Sequence, residues 1–306
     1  MITRQLLLSL GFTLLTTSLV SGEARCPGNV EPIQYHSLDH SQIDVPVAIN
    51  GTGPYEFLVD TGSQITIIEP SLAAELQLKP QGDIYISAVG NHSKADLVIP
   101  DLIEAGSFAV RSPLVVVASL AQIQARDSKI RGLLGGSFLG HFDVLIDYAQ
   151  KLLCLDETTQ MRQDVRGEHV AVIQQSDGQQ NLPFPHRLLI LAHLAGGDSR
   201  DVLLMLDSQS NVPMLYAGNL KTPAWLLRDH IRMGSVAGNG SQIALTVLPS
   251  EEVRIGSRVL HEVSFLAPVS TERKVIGAGE DGLLPAALFK RVFISYSDYF
   301  VIFDPR

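Results

Sequence analysis

An internal duplication constrains this chain more than any other feature of its sequence. Three blocks of the first half recur in the same order in the second half, at offsets that drift only from 147 to 150 positions. The matched pairs are FLVDTGSQ (57–64) with LLMLDSQSN (203–211), SAVGNHSKADLVIP (87–100) with SVAGNGSQIALTVLP (235–249), and RGLLGGSFLGHFDVLIDY (131–148) with DGLLPAALFKRVFISY (281–296). A repeated order at a nearly constant spacing indicates two structurally related halves.

The short apolar segments of each half are typical of β-strands. They are rich in Val, Ile and Leu, and the Gly-Asn pairs between them predict hairpins. Short helices are predicted only at 71–78 and 135–142, so the fold class is mainly β. We predict an N-terminal lobe over 23–160 and a C-terminal lobe over 161–306, with the polar residues 156–169 forming the linker.

Residues 1–22 are predicted to be a secretory signal peptide rather than part of the fold. Arg4 precedes an apolar stretch that ends in the small residues preferred by signal peptidases. The stretch has about 15 residues, fewer than the roughly 20 that span a bilayer, and an uncleaved anchor is the alternative. Export predicts a secreted or periplasmic protein in an oxidising compartment. There Cys26 and Cys154 either pair as a disulfide or remain two thiols.

The charge balance argues against several kinds of partner. The formal net charge is -9, from 23 Lys and Arg against 32 Asp and Glu, and no basic run occurs. Such a chain is a poor ligand for nucleic acid and, once the signal peptide is removed, for an anionic membrane. We therefore expect neither nucleic acid nor a membrane as a partner.

Common catalytic and metal motifs are missing from the sequence. The nine histidines include no HExxH, and His36 and His40 precede a strand, so no metal is expected. Neither G-x-S-x-G nor G-x-x-x-x-G-K occurs, and no cofactor is predicted. Asp143 and Asp147 resemble a glycosidase carboxylate pair. Because Asp147 aligns with Ser295 in the other half, we expect a structural hydrogen bond there instead.

The duplicated acidic residue is the candidate for chemistry. Asp60 ends an apolar segment and precedes Thr61, and Asp207 holds the matching position before Ser208. A pseudo-twofold axis between two lobes brings equivalent residues together. Two carboxylates that meet there cannot both ionise cheaply, so the pair retains one proton. The ionised member can then activate a water, while the protonated member donates to a substrate carbonyl.

On these residues the chain resembles the aspartic proteases of the pepsin and retroviral-protease kind. The motifs that carry the resemblance are FLVDTGS (57–63) and GLLG (132–135). The longer segments NGTGPYEFLVDTGS (50–63) and FDVLIDY (142–148) are especially similar to exported bacterial retropepsin-like proteins. The resemblance implies two β-barrel lobes of the acid-protease fold with a cleft between them. It also implies a monomeric aspartic endopeptidase that binds a peptide or protein substrate in extended conformation.

The resemblance assigns a role to each matching position. Asp60 and Asp207 would form the catalytic pair. The residues that would support the active site are Thr61, Gly62, Ser63, Ser208, Gln209, Leu134 and Gly135. The flaps that would close over the substrate are Val89, Gly90 and Asn91 in the first lobe and Ala237, Gly238 and Asn239 in the second.

Lobe two departs from the family pattern. Gln209 replaces the second active-site glycine, Pro285 stands where a glycine is expected, and neither flap carries a tyrosine. A Cβ at position 209 is expected to cost about 1–2 kcal/mol if the local φ is positive and less otherwise. The Gln209 side chain is expected either to hydrogen-bond Asp207 or to take the place of the water. Two hypotheses follow, an active endopeptidase and a catalytically impaired peptide-binding pseudoprotease. A homodimer that pairs two copies of Asp60 is a third arrangement.

Overall fold

The computed structural model describes residues 25–38, 41–88, 91–174, 187–195, 199–216, 231–235, 242–268 and 279–306. The predicted signal peptide at 1–22 lies outside these ranges. No helix within them has the length and apolar character that crossing a membrane requires.

The first half of the chain is built mainly from strands. They are β1 (Pro32–Gln34), β2 (His36–Leu38), β3 (Gln42–Ile49), β4 (Thr52–Val59), β5 (Thr66–Ile68), β6 (Gly82–Ala88), β7 (Asn91–Val98), β8 (Leu102–Ala105), β9 (Phe108–Arg111), β10 (Val115–Val117), β11 (Ile130–Leu134), β12 (Asp143–Asp147) and β13 (Leu152–Asp156). Short helices are α1 (Pro70–Glu75), α2 (Ala121–Gln124), α3 (Gly136–Leu139) and α4 (Gln160–Asp164), with a 3₁₀ turn at Pro27–Asn29.

The second half repeats this composition. Its strands are β14 (Val170–Ala171), β15 (Leu189–Leu194), β16 (Arg200–Asp207), β17 (Met214–Leu215), β18 (Ile231–Ser235), β19 (Gln242–Val247), β20 (Glu251–Ile255), β21 (Arg258–Val263), β22 (Leu266–Pro268), β23 (Gly282–Pro285), β24 (Arg291–Ser295) and β25 (Phe300–Phe303). A 3₁₀ turn follows at Ala286–Leu288. The prediction of a mainly β protein is confirmed. The helices predicted at 71–78 and 135–142 correspond to the shorter α1 and α3.

Two sheets share one strand order. The first runs β6-β7-β10-β5-β11-β4-β3-β8-β9, with β2 added beside β3, and the second runs β18-β19-β22-β17-β23-β16-β15-β20-β21. In each sheet the strand that leads to the repeated Asp is paired in parallel with the strand of the Gly-Leu-Leu block, β4 with β11 and β16 with β23. The repeated sequence blocks therefore occupy equivalent places in the two sheets.

A third sheet joins the halves. Its order is β1-β13-β12-β24-β25-β14, so three strands of the first half continue into three strands of the second with no gap in the hydrogen bonding. At its centre β12 and β24 are antiparallel, and Leu145 faces Phe293, its counterpart in the duplication. Equivalent residues face each other where a twofold axis passes between strands, so the pseudo-twofold axis crosses the sheet at this pair.

The apolar core is continuous between the halves. One cluster of buried side chains includes members of all three sheets, from Ile33 to Phe303. Every residue of β12 and β13 is buried, as expected of strands that are covered on both faces. The core thus lies beneath the ends of β4 and β16, where the two repeated Asp residues stand.

The polar segment 156–169, predicted to be a linker, contains helix α4. Met161 and Val165 are buried beside the disulfide that joins Cys26 to Cys154, whose Cα atoms are 5.8 Å apart. Asp156 accepts a hydrogen bond from the Met161 backbone N–H at 2.6 Å, which satisfies an amide of the first turn. Two apolar residues four positions apart are too few to produce a recognisable helical period.

Candidate active site

Asp60 lies directly after β4, at the point where the chain turns. Its backbone N–H donates to the carbonyl of Leu134 at 3.0 Å, which ties the turn to the neighbouring strand β11. Its carboxylate Oδ1 accepts the backbone N–H groups of Gly62 and Ser63, each at 3.0 Å. The carboxylate is therefore held from one side by the backbone of its own loop.

Asp207 is held in the same way at the end of β16. Its Oδ1 accepts the backbone N–H of Gln209 at 2.6 Å and that of Ser210 at 3.2 Å. Backbone amides exist whatever the side chain, so glutamine at position 209 preserves the donor that glycine would supply. Ser210 Oγ donates to the Val212 carbonyl and Ser63 Oγ donates to the Ile65 carbonyl, each at 2.7 Å. The two active-site loops therefore have matching hydrogen bonds.

Thr61 and Ser208 lock the two loops together. The Thr61 N–H donates to Ser208 Oγ at 3.1 Å, and the Ser208 N–H donates to Thr61 Oγ1 at 3.0 Å. Thr61 Oγ1 donates onward to the Leu206 carbonyl at 3.0 Å, and Ser208 Oγ donates to the Val59 carbonyl at 2.6 Å. Each hydroxyl thus accepts a hydrogen bond from the opposite half and donates one to it, which fixes the halves in register.

The two Asp side chains are buried and adjacent. A Cβ placed on Gly62 would lie 2.8 Å from Asp207 Cγ, so the Asp207 carboxyl group packs against the loop that holds Asp60. Burial raises the pKa of Asp60, and the charge of Asp207 raises it further. Burial also raises the pKa of Asp207, although its two backbone donors act in the opposite direction. Both shifts favour a pair that retains a proton at neutral pH.

Gln209 is accommodated without backbone strain. It is not among the residues with positive φ. The cost of about 1–2 kcal/mol expected for a Cβ in a positive-φ conformation therefore does not apply. Its side-chain amide donates to the Val59 carbonyl at 3.3 Å, and its Oε1 accepts from Gln42 Nε2 at 3.2 Å. Gln42 Nε2 also donates to the Gln209 carbonyl at 2.7 Å. These contacts direct the side chain toward β3 and β4. The two positions expected from the sequence were a hydrogen bond to Asp207 and the place of the water, and these contacts correspond to neither.

In lobe one the family glycine is sterically required. A Cβ on Gly135 would lie 2.3 Å from the Ile65 carbonyl oxygen, far inside contact distance. The Gly135 N–H donates to Thr66 Oγ1 at 3.2 Å, and the Thr66 N–H donates to Ser137 Oγ at 2.9 Å. Leu134, just before this glycine, is fully buried. Leu134 and Gly135 therefore pack behind the Asp60 loop.

Lobe two replaces this hydrogen-bonded set as a unit. The positions that correspond to Thr66, Gly135 and Ser137 carry Pro213, Pro285 and Ala287. The two prolines lack the N–H groups that donate in lobe one, and the proline and alanine side chains lack the hydroxyls that accept there. Donors and acceptors are thus lost together, and none of these hydrogen bonds leaves a polar group behind. Pro285 adopts an ordinary extended conformation, with φ −62° and ψ 127°.

The flaps are only partly described. Val89 and Gly90 lie outside the described residues, as do Ala237, Gly238 and Asn239. Asn91 begins β7 and pairs with Ala88 of β6. In the second half β18 and β19 also pair antiparallel, with Ser235 opposite Gln242. Each flap sequence therefore connects two paired strands at the end of its sheet.

Two tyrosines that were not among the predicted site residues lie near the carboxyl pair. Tyr148 and Tyr296 are counterparts in the duplication, and neither buried phenolic oxygen has a hydrogen-bond partner within the described ranges. Burial raises the pKa of each, and the charge of Asp207 acts on Tyr148 while that of Asp60 acts on Tyr296. The repetition of tyrosine at equivalent positions was the available signal.

The second carboxylate pair has structural contacts. Asp143 accepts hydrogen bonds from two nitrogens of Arg162, at 2.8 and 2.7 Å. Asp147 Oδ1 accepts the backbone N–H of Gln150 at 2.8 Å, in the turn after β12. The carboxylates of Asp143 and Asp147 therefore bind different partners, and the expected structural hydrogen bond is present at Asp147.

The sequence and the fold of the chain are similar to those of known proteases. Residues 45–138 match the family model described as aspartyl protease. No curated protein matches the chain significantly. Among solved structures, the aspartic proteinase from Irpex lacteus is 10% identical and superposes with a TM-score of 0.52, covering 90% of this chain and 97% of that one. A retropepsin-like aspartic protease from Rickettsia conorii is 23% identical with a TM-score of 0.31, covering 41% of this chain and 90% of that one.

The chain thus has the two-lobed acid-protease fold, and this prediction is confirmed. Its first lobe carries the aspartyl protease family match across the segment that contains Asp60. The fold is shared with the aspartic proteinase from Irpex lacteus over both lobes.

Proposed function

We propose that this protein is an aspartic endopeptidase that hydrolyses peptide bonds through a water activated by Asp60 and Asp207. The observation that carries the proposal is the reciprocal Thr61–Ser208 pairing, which supports one carboxyl group from each half at a shared seam. Because both Asp residues come from one chain, the proposed active unit is a monomer.

The proposed chemistry needs one proton on the pair. The ionised carboxylate takes a proton from the water as it attacks the substrate carbonyl, and the protonated carboxyl donates to the carbonyl oxygen. Burial of both groups supports retention of that proton, since two adjacent buried carboxylates cannot both ionise cheaply. No covalent intermediate forms. When the diol intermediate collapses, the carboxyl that took the water proton donates it to the leaving amine, and the other carboxylate takes a proton from a diol hydroxyl, so the pair again holds one proton.

The proposed substrate is an extended peptide or protein segment. The hairpins β6–β7 and β18–β19 stand at the ends of their sheets, where a peptide can add strand-like hydrogen bonds. The proposed location is secreted or periplasmic, and the Cys26–Cys154 disulfide is compatible with an oxidising compartment.

A peptide-binding pseudoprotease is the alternative, and Gln209 is the residue that motivates it. Two observations favour the enzyme. The Gln209 backbone N–H still donates to Asp207, and its side chain is engaged with Gln42 and Val59. Glutamine at position 209 therefore keeps the backbone hydrogen bond that supports the Asp207 carboxylate.

Cleavage of denatured casein and of fluorogenic peptides from about pH 3 to pH 8 tests the proposal. Asp60→Asn and Asp207→Asn are each expected to abolish cleavage, while the exposed Asp101→Asn serves as the matched control and retains it. Full cleavage by either active-site variant would refute the assignment. An inactive wild type whose Gln209→Gly variant gains activity would establish the pseudoprotease. A statine-type inhibitor is expected to protect the wild type against thermal unfolding.

A further inference from the structure

A second cluster of ionisable side chains lies on the first sheet, outside the carboxyl pair. His36 of β2 stands directly opposite Asp44 of β3. Glu56 of β4 lies diagonally across from Asp44, which faces Leu58 two residues further along the same strand. Because side chains alternate along a strand, this register places all three residues on one face. One potential ligand atom from each residue lies within 4.8 Å of the other two.

The cluster contains carboxylate oxygens that nothing in the described chain satisfies. The Asp44 side chain is only 10% exposed, and its Oδ1 has no hydrogen-bond partner among the described residues. Glu56 Oε2 is also shielded from solvent and unpartnered in the same sense. Buried carboxylate oxygens require a proton, a hydrogen-bond donor or a cation.

The imidazole completes a set of ligands around these oxygens. His36 Nδ1 lies 3.7 Å from Asp44 Oδ2, too far for a hydrogen bond, and the His36 side chain is 85% exposed. Two carboxylates and one imidazole therefore converge with an excess of negative charge and an open side toward solvent.

We propose that His36, Asp44 and Glu56 form a binding site for a divalent cation of the Zn²⁺ class. One imidazole nitrogen and two carboxylate oxygens match the ligands that Zn²⁺ takes, and the exposed side leaves a fourth position for water. In the sequence His36 precedes a strand and no metal is expected; the strand register adds the pairing of that residue with Asp44. His40, considered with it, lies outside the described residues.

This site is separate from the carboxyl pair yet adjoins its support. Asp44 lies two positions after Gln42 on β3, and Gln42 holds the second active-site loop through Gln209. A cation bound at the three ligands would link β2 to β3 and β4 and so brace the strand that leads to Asp60. Its role is structural, and the proposed hydrolysis requires no step through it.

The test is Zn²⁺ binding to the full, tag-free protein, measured by competition with a chromophoric chelator. The wild type is expected to bind Zn²⁺ at one site, and His36→Gln is expected to lower the affinity of that site by about 10- to 100-fold or more. Removing a metal ligand costs at least as much affinity as removing a residue that hydrogen-bonds a ligand. His261→Gln is the matched control, because His261 is 73% exposed and also faces a carboxylate, Glu252, at 3.3 Å. It is expected to leave the site unchanged.

Two outcomes would overturn the site. One is a wild type that binds no Zn²⁺, and the other is equal binding by the wild type and His36→Gln. A second variant, Glu56→Gln, guards against an indirect effect of the exposed histidine, and a circular dichroism spectrum checks that it folds. Folded Glu56→Gln with undiminished Zn²⁺ affinity would also contradict the proposal. Ca²⁺ is the comparison ion and is expected to compete poorly, because it needs six or more oxygen ligands.

Discussion

Replacing Gly62 with alanine is expected to disturb the active site by contact alone. Gly62 is not among the glycines with positive φ, so an added methyl group meets no backbone penalty. The new Cβ would lie 2.8 Å from Asp207 Cγ and 3.1 and 3.2 Å from its two carboxylate oxygens. The substitution therefore acts on the Asp207 carboxyl group rather than on the conformation of the loop.

The size of the effect follows from that distance. Carbon atoms in favourable contact are about 3.5–4.0 Å apart, so Asp207 or the loop must move by roughly 0.7 Å or more. Overpacking of this kind costs about 1–3 kcal/mol of unfolding free energy. A displacement of about 1 Å in a catalytic group lowers the rate by about 100-fold, and we expect kcat/KM to fall at least about tenfold.

Urea unfolding and peptide cleavage measure the two effects. Gly82→Ala is the matched control, because a Cβ at Gly82 meets no heavy atom within 4 Å and its φ is also not positive. The control is expected to keep wild-type activity and to be unchanged or more stable by about 0.5 kcal/mol. If Gly62→Ala matched Gly82→Ala in both measurements, the packing of Asp207 against the Asp60 loop would be refuted.

Three further perturbations have defined outcomes. Ser208→Ala leaves the buried Thr61 N–H without its acceptor, and urea unfolding should show a loss of about 1–3 kcal/mol. The pKa of Asp60 is raised to about 8, so the folded state keeps a proton that the unfolded chain releases. The unfolding free energy should therefore fall as pH rises from about 4 to 8, and Asp60→Asn should flatten that dependence in thermal melts at several pH values. Replacing Cys26 and Cys154 together by serine should cost about 2–5 kcal/mol, because the disulfide closes a separation of 128 residues; an unchanged urea midpoint would contradict this.

The duplication explains why so much of the fold was accessible from the sequence. The repeated blocks predicted two related halves, and the two nine-strand orders match strand for strand. The same repetition singled out Asp60 and Asp207, because residues at equivalent positions in the two halves can meet at the axis that relates them. Short apolar runs with Gly-Asn turns were also sufficient to predict the β class.

Contacts that depend on register could not be obtained in this way. The pairing of Gln42 with Gln209 joins residues 167 positions apart, and no local pattern announces it. The cluster of His36, Asp44 and Glu56 depends on which residues face each other across three strands, and a shift of one residue would disperse it. Helix α4 was missed because two buried apolar residues carry too little periodic signal.

The pairing of β12 with β24 also bears on how such a chain could arise from a smaller one. A first half cut free near residue 160 would expose β12 as an unprotected edge, with the backbone groups that face β24 left unpaired. Because Leu145 faces its own counterpart across the axis, a second copy of that fragment offers nearly the same surface as the missing half. We expect the fragment to self-associate into a symmetric dimer, the arrangement from which gene fusion would yield a single chain.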